Sequence, residues 1–367
     1  MVKKTILWQA HEGNLSGANL ALLEFIDALK TEFDFWVVLP HEGDMNSVLE
    51  QRKISYSIIH NYGWAISGIR WELFKYTRML LRSMIAICQI RRLIRNVQPS
   101  YAFTNTLVPF TLSIAAKQLK VPHVWWIHEF GEDDFGFKIG WGFEQWAFKW
   151  MQRSSRIIIS NSKAIRIKFS ERMPSVKIVC IYQPVSWNHN TTIKVVKKAQ
   201  FLMFGQIVDT KGHKDVLEAL IAIKKMGKEI PSLHILGPNE NSSYLNELHA
   251  LIKSNELNAQ VKIDVGYVDC KKILPHYDVL IVASKAEAFG RVIVEANKAG
   301  LQVLVRNSGG APELINESNG LLFDNTTELI AALSGEKRFP IKSGIRMNYD
   351  ETKEIKKLKH VLQEICP

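Results

Sequence analysis

Apolar and polar positions along this chain of 367 residues fall into a repeating order: a short apolar run, a loop holding glycine, serine or acids, then apolar residues every three to four positions. The runs Thr5 to Ala10, Phe35 to Leu39, Tyr56 to Ile59, Tyr101 to Thr104, His123 to Ile127, Arg156 to Ser160 and Ile178 to Tyr182 read as strands. Helical patterns lie between most of them, the first from about Ala18 to Leu29, which predicts a parallel sheet with helices on both faces. The stretch Trp187 to Lys198 is polar and basic without periodicity and reads as a linker. Beyond it the order repeats. Gln200 to Phe204, Ser232 to Leu236, Val261 to Val265, Asp278 to Val282 and Asn319 to Phe323 predict strands, with helices at His213 to Met226, Val292 to Ala299 and Thr326 to Leu333. The tail, Tyr349 to Ile365, is an amphipathic helix. The expected fold class is α/β, with doubly wound domains at 1–187 and 188–347 and a terminal helix in 348–367.

One predicted helix differs from the rest. Between Trp71 and Val97 the apolar residues Leu73, Leu80, Met84, Ile87 and Ile94 recur at spacings of three, four and seven, predicting the stripe that faces a core. Arg70, Lys75, Arg78, Arg82, Arg91, Arg92 and Arg95 oppose a single acid, Glu72. Such a helix suits a solvated basic face, and equally an anionic lipid surface met by its rim while the stripe stays buried.

Composition sharpens this. The 47 Lys and Arg against 36 Asp and Glu leave a formal charge of +11, large enough to ask for a partner. No nucleic-acid motif accompanies the basic residues, so a phosphorylated substrate or an anionic membrane surface is expected and nucleic acid is not. No apolar run approaches the ~20 residues of a spanning helix, since the best, Met79 to Ile90, is broken by Arg82. His11 and Glu12 end the first apolar run too early for a signal peptide, and Cys88, Cys180, Cys270 and Cys366 are widely spaced, as reduced thiols would be. The expected location is cytoplasmic, peripheral on the inner face of the membrane.

Candidate chemistry gathers in loops that leave strands. After Asp278 to Val282 comes a loop with Glu287, then Phe289-Gly290-Arg291 at a helix start whose free N–H groups suit an anion. Glu295 lies about one turn inside that helix, where a carboxylate can accept hydrogen bonds from a vicinal diol such as a ribose. The next loop, Ser308-Gly309-Gly310-Ala311-Pro312-Glu313, permits close backbone approach to the same crevice. Together the two loops suggest a phosphorylated or nucleotide ligand. Gly205 to Lys211-Gly212 is a second phosphate-binding arrangement, a strand, glycine, loop lysine and helix start. Gly13, Ser16 and Gly17 occupy the loop after the first strand, which serves either as a ligand cradle or as a plain tight connection. His128 ends a strand where it can enter a crevice, and Ser160-Asn-Ser162 caps a helix from Lys163 to Phe169.

Glu287-x7-Glu295 with Phe289-Gly290 and Gly309-Gly310-x-Pro312-Glu313 resembles the signature of glycosyltransferase family 4, retaining sugar-nucleotide enzymes of the GT-B fold. The resemblance implies two Rossmann-like domains facing a central cleft, the acceptor in the first and the donor in the second, with the C-terminal helix crossing back. It implies a nucleoside-diphosphate sugar as co-substrate and neither cofactor nor metal, so the acidic run Glu132-Asp133-Asp134 is expected to be a flexible loop. By the same resemblance, Lys211 and Arg291 hold the diphosphate with the backbone around Phe289-Gly290 and with Gly205 and Gln206. Glu295 holds the ribose, and Glu287 serves at the reacting centre either as nucleophile or, as expected, by orienting the sugar. His128 lies near the transferred sugar, and Gly13, Ser16 and Gly17 line the acceptor side. Tyr267 or Val268 is placed near the base, or Tyr267 in the core. Two positions depart from the family: Gln206 stands where it has Arg, and Gln183-Pro184 where it usually has Asn-Gly. The function implied is a hexosyltransferase-type enzyme acting on a saccharide or lipid-linked acceptor in cell-surface polysaccharide (lipopolysaccharide, capsule or teichoic-type) synthesis. The alternative is a catalytically silent GT-B protein that binds a sugar nucleotide or a partner.

Overall fold

A computed structural model describes residues 3–61, 63–67, 73–187, 200–239, 241–339 and 345–365. The chain divides into two compact units, residues 1–184 with 351–367, and residues 185–350.

In the first unit the elements run β1 (Lys4–Gln9), α1 (Gly17–Leu29), β2 (Phe33–Leu39), α2 (Asp44–Gln51), β3 (Ser55–Ile58), β4 (Ile66–Ser67), α3 (Leu73–Val97), β5 (Tyr101–Asn105), α4 (Thr111–Gln118), β6 (His123–Ile127), α5 (Glu132–Phe135), β7 (Phe137–Lys138), α6 (Glu144–Ser154), β8 (Ile157–Ser160), α7 (Lys163–Arg172) and β9 (Ile178–Cys180). Seven parallel strands are ordered β3-β2-β1-β5-β6-β8-β9. Because side chains alternate along a strand, Ile6 and Trp8 face one layer while Leu7 faces the other. The first layer is closed by α1 and α2, and the second by α3 and α4. Trp64 Nε1 donates to Leu107 O at 2.6 Å, and its ring stacks on Phe110 and Trp125.

The second unit follows as β10 (Gln200–Phe204), α8 (His213–Lys225), β11 (Ser232–Gly237), α9 (Ser242–Ser254), β12 (Val261–Val265), α10 (Cys270–Ile273), β13 (Val279–Val282), α11 (Arg291–Lys298), β14 (Gln302–Arg306), β15 (Gly320–Phe323) and α12 (Thr326–Leu333). Its six parallel strands are ordered β12-β11-β10-β13-β14-β15. The final helix, α13 (Glu351–Ile365), belongs to the first unit. There Leu358, Val361 and Leu362 enter the core beside α1, and Tyr101 Oη donates to Leu362 O at 2.9 Å.

In such sheets the strand order reverses once, and ligands bind where the loops of the two diverging strands separate. The reversal lies between β1 and β5 in the first unit and between β10 and β13 in the second. The loops at 10–16 and 106–110, and at 205–212 and 283–290, are therefore where a ligand would sit.

Three expectations change. Leu80 and Met84 are exposed, while the buried stripe of α3 keeps the expected Ile94 and the partly buried Ile87 and adds Ala86 and Ile90. A spacing of four from Leu80 to Met84 marks one helix face without saying which face meets the sheet, and here it is the opposite one. The side chain of Leu73 and most of the linker lie outside the described residues. The acids at 132–134 form a helical turn rather than a flexible loop: Asp134 accepts from Phe130 N at 2.7 Å, Asp133 pairs with Lys168 and Glu132 with Lys138. Tyr267 is 84% exposed, which removes it from the core.

Candidate active site

In the second unit the loop after β10 carries Gly205, Gln206 and Lys211, and the loop after β13 carries Ser284, Glu287, Phe289 and Gly290. The two meet through one carboxylate. Lys211 Nζ lies 3.0 Å from Glu287 Oε2, and Ser284 Oγ donates to the same oxygen at 2.8 Å. Gly290, with φ of 89° as the N-cap of α11, adds its backbone N–H to Glu287. Burial alone would raise the pKa of Glu287, but the charge and hydrogen bond of Lys211, with Ser284 and the Gly290 N–H, overturn that and hold it below the usual carboxylate value. The carboxylate is therefore ionised and aimed at a cation, with 17% of its side chain exposed and 35% of the lysine's.

The third loop, after β14, explains its glycines. Gly310 N donates to Glu287 O at 2.7 Å, and Gly309 has φ of 66°. A Cβ at Gly309 would lie 2.3 Å from that carbonyl oxygen. Backbone here approaches so closely that no side chain fits.

Other expected donor residues are placed less simply. Glu295 is buried on α11, where Arg291 Nε reaches its Oε1 at 2.9 Å. The guanidinium assigned to a diphosphate thus already holds the carboxylate assigned to a ribose, an i,i+4 pair that the helix itself creates. Cys270 Sγ also bonds Glu295, and burial pushes that thiol up to about 12, so it stays protonated. Phe289 is buried, its ring 6.3 Å from Tyr349, so only its backbone can face a ligand. Gly205 has φ of 133° and donates its N–H to Leu236 O, and Gln206 follows it half-buried.

In the first unit, His128 follows β6 and is buried. Its Nε2 lies 2.7 Å from Asn105 Oδ1 and its Nδ1 2.6 Å from Gln183 Nε2. Asn105 accepts and Gln183 donates, which assigns the proton to Nε2. Burial, with the nearby His11 adding to it, drives the pKa of His128 well below that of a free imidazole, so the ring is neutral. Both ring nitrogens are taken by side-chain amides. His128 is therefore a fixed neutral post at the end of its strand. Asn161 Nδ2 donates to its carbonyl at 3.0 Å.

After β1, Ser16 caps α1 by accepting from Asn19 N, and Gly13 lies so close to His41 that a Cβ would sit 2.4 Å from its carbonyl oxygen. Packing accounts for Gly13. A Cβ at Gly17 would meet nothing within 4 Å, so packing does not account for that glycine.

Several residues here escape sequence reasoning. Gln183 reads as a departure yet holds His128. Asn105 is a polar end to an apolar strand, a signal that can be read only when its partner is known. His11 and Glu12 pair at 2.8 Å; burial opposes the charge of Glu12, but His11, Ser16 and His41 outweigh it and lower its pKa. Ser284 is a loop hydroxyl three residues before Glu287 that no local pattern singles out.

Comparison with known proteins meets this geometry. The profile described as Glycosyltransferase Family 4 matches residues 15–187, and that described as Glycosyl transferases group 1 matches residues 188–335. Spore coat protein SA of Bacillus subtilis (strain 168) is 29% identical over 151 residues, which cover 37% of this chain and 40% of that protein. The match thus spans well under two thirds of that relative's length. The crystal structure of HepE from Anabaena in complex with UDP-glucose superposes with a TM-score of 0.72 at 20% identity, covering 98% of this chain and all of that one. The apo form of the lipopolysaccharide outer core galactosyltransferase WaaB gives a TM-score of 0.67 at 14% identity, covering 97% of this chain and 95% of its own. At such identities the likeness shows the fold.

Proposed function

The chain belongs to the family 4 type glycosyltransferases of the GT-B fold, and from that premise we propose that it transfers a sugar, with retention of configuration, from a nucleoside diphosphate to a saccharide or lipid-linked acceptor of cell-surface polysaccharide synthesis. The observation that carries the reading is the pairing of Lys211 with Glu287 at the strand-order reversal of the second unit, beside Ser284 and the Gly290 N–H. A diphosphate entering these loops competes with Glu287 for the lysine. Lys211 and the N–H groups at the start of α11 then face the charge that develops on the leaving group, where preorganised donors are each worth about 3 kcal/mol. Positive charge from these groups lets the reading dispense with metal or cofactor. Gln206, which brings no charge, leaves Lys211 as the main cation at the diphosphate.

Released from Lys211, Glu287 accepts hydrogen bonds from sugar hydroxyls and orients the ring for attack on the face the diphosphate leaves. Its low pKa suits an acceptor of hydrogen bonds and not a proton donor. Glu295 takes the ribose hydroxyls while Arg291 keeps it in place. In the first unit the loop at Gly13, Ser16 and Gly17 meets the acceptor. His128, held by Asn105 and Gln183, supports that loop's neighbourhood as a neutral positioning residue. Support for the acceptor class comes from the structural neighbours, among them a lipopolysaccharide outer core galactosyltransferase. The UDP-glucose held by HepE makes uridine the first base to test.

Thermal unfolding of the wild type and of Glu295→Ala with UDP, GDP, ADP and CDP tests this. A ligand that binds only the native state raises stability by RT ln(1 + [L]/Kd). One base should shift the wild type and fail to shift the variant. No shift with any base would remove the donor site, and an equal shift in the variant would remove the role of Glu295.

A further inference from the structure

The two faces of the first sheet are charged very differently. The helices α1, α2 and α13, on the face that holds Ile6 and Trp8, carry four Lys and Arg against seven acids. The opposite face is covered by α3, α4, α6 and α7. There α3 and α4 share a core with Leu7, Trp150 of α6 donates to Ser113 of α4, and Phe148 of α6 meets Phe169 of α7 at 5.8 Å. These four helices carry thirteen Lys and Arg against two acids, Glu144 and Glu171.

The basic face also has an exposed apolar patch. On α3, Leu80, Leu81, Met84 and Ile85 are 50–61% exposed, while Ala86, Ile90 and Ile94 are buried. At 100° per residue the four exposed side chains lie within a sector of about 140° opposite the buried ones. Arg92 and Arg95, both exposed, continue the same sector toward the end of the helix. Helix α3 is thus apolar on two sides, one against the sheet and one outward. A soluble surface does not need the second side, and four adjacent large apolar side chains in water are costly.

We propose that this face of the first unit seats on an anionic membrane surface, with Leu80, Leu81, Met84 and Ile85 inserted at the headgroup boundary and Arg92 and Arg95 on lipid phosphates. Excess basic charge draws the face to the bilayer, and the apolar quartet fixes which part enters it. Nucleic acid would use the charge but has no use for the quartet. The proposal rests on the transferase reading only for its purpose, which is to bring the unit assigned to the acceptor to a lipid-linked acceptor.

The test is co-sedimentation of the full chain with vesicles of phosphatidylcholine, alone or with phosphatidylglycerol, at low and at high salt. Wild type should bind the mixed vesicles at low salt and release from them at high salt. Leu81→Glu with Ile85→Glu, and Arg92→Glu with Arg95→Glu, should each weaken binding at least about tenfold, since each basic residue near the surface contributes on the order of 1 kcal/mol. Lys353→Glu with Lys356→Glu, on α13 of the other face, should bind as wild type. All four positions on α3 are exposed, and an unchanged melting temperature checks that each variant folds. Absence of binding at low salt, wild-type binding by the Leu81 and Ile85 variant, or equal loss in the α13 control would each overturn the proposal. Retention of duplex DNA as strong as that of vesicles, lost only on charge reversal, would assign the face to nucleic acid instead. No sugar is transferred in these assays, so the nucleotide shift can fail while vesicle binding stands, or the reverse.

Discussion

Two polar clusters, one joining the ends of β5, β6 and β9 in the first unit and one at the strand-order reversal of the second, are built in opposite ways. His128 in the first unit is buried, neutral and held by two amides, Asn105 and Gln183. Glu287 in the second is charged, held by a lysine that water also reaches. Neutral hydrogen bonds inside a core are expensive to leave unmade and so fix geometry. An ion pair whose lysine is partly exposed contributes modestly to stability and can exchange one anion for another. The first cluster suits holding a shape, and the second suits trading a carboxylate for a phosphate.

Substitutions at each cluster sharpen the contrast. Lys211→Met should leave the fold intact and lower the rate at saturating donor by about 10²–10³, the usual cost of removing one preorganised donor to a developing charge. Steady-state kinetics reads this, and a change confined to KM would assign Lys211 to binding alone. Gly309→Ala should cost about 2–3 kcal/mol in a denaturant titration, since positive φ and a close carbonyl both exclude a side chain. Donor binding should weaken with it, because the displaced carbonyl is that of Glu287. Gln183→Leu leaves Nδ1 of His128 buried without its donor and should cost about 1–3 kcal/mol. Gln183→Glu should instead raise the pKa of His128, a shift visible by NMR titration. An unaltered histidine in that variant would contradict the hydrogen bond.

A pH-dependent effect concerns Glu129, next to the histidine. Burial pushes its carboxyl up to about 8, against the hydrogen bonds from Leu107 N and His128 N. The folded chain then holds a proton that the unfolded chain releases near the ordinary value of 4.5. Stability from this group is complete below that value and lost as pH rises toward 8. Glu129→Gln should remove the slope, so that its melting temperature falls less than the wild type's between pH 5 and 8, by roughly 3 °C or more.

Much of this architecture is legible in the sequence. Blocks of apolar residues separated by glycine loops give both parallel sheets, because a strand buried on two faces must read as a continuous apolar run. Lys211, Glu287, Gly290 and Glu295 stand out through loop position and spacing. Their partnerships do not. Lys211 and Glu287 are 76 residues apart, and only the reversal between β10 and β13 brings their loops together. The pairing of Arg291 with Glu295 follows from helix periodicity, yet a reading that gives each a separate ligand task passes over it. Gln183 and Asn105 act on a histidine 55 and 23 residues away, and nothing local marks them. On α3 the expected stripe is split, with Ile87 and Ile94 packed in the core and Leu80 and Met84 facing outward, because apolar residues on two sides of a helix leave periodicity alone unable to choose the face.

Calorimetric titration of UDP and of UMP into the wild type and into Lys211→Met tests the exchange of Glu287 for phosphate most directly. The account predicts that UDP binds the wild type at least about tenfold more tightly than UMP, the effect of one added charge-assisted contact, and that this advantage disappears in Lys211→Met while UMP binding is unchanged. An advantage of the same size in both proteins would contradict it.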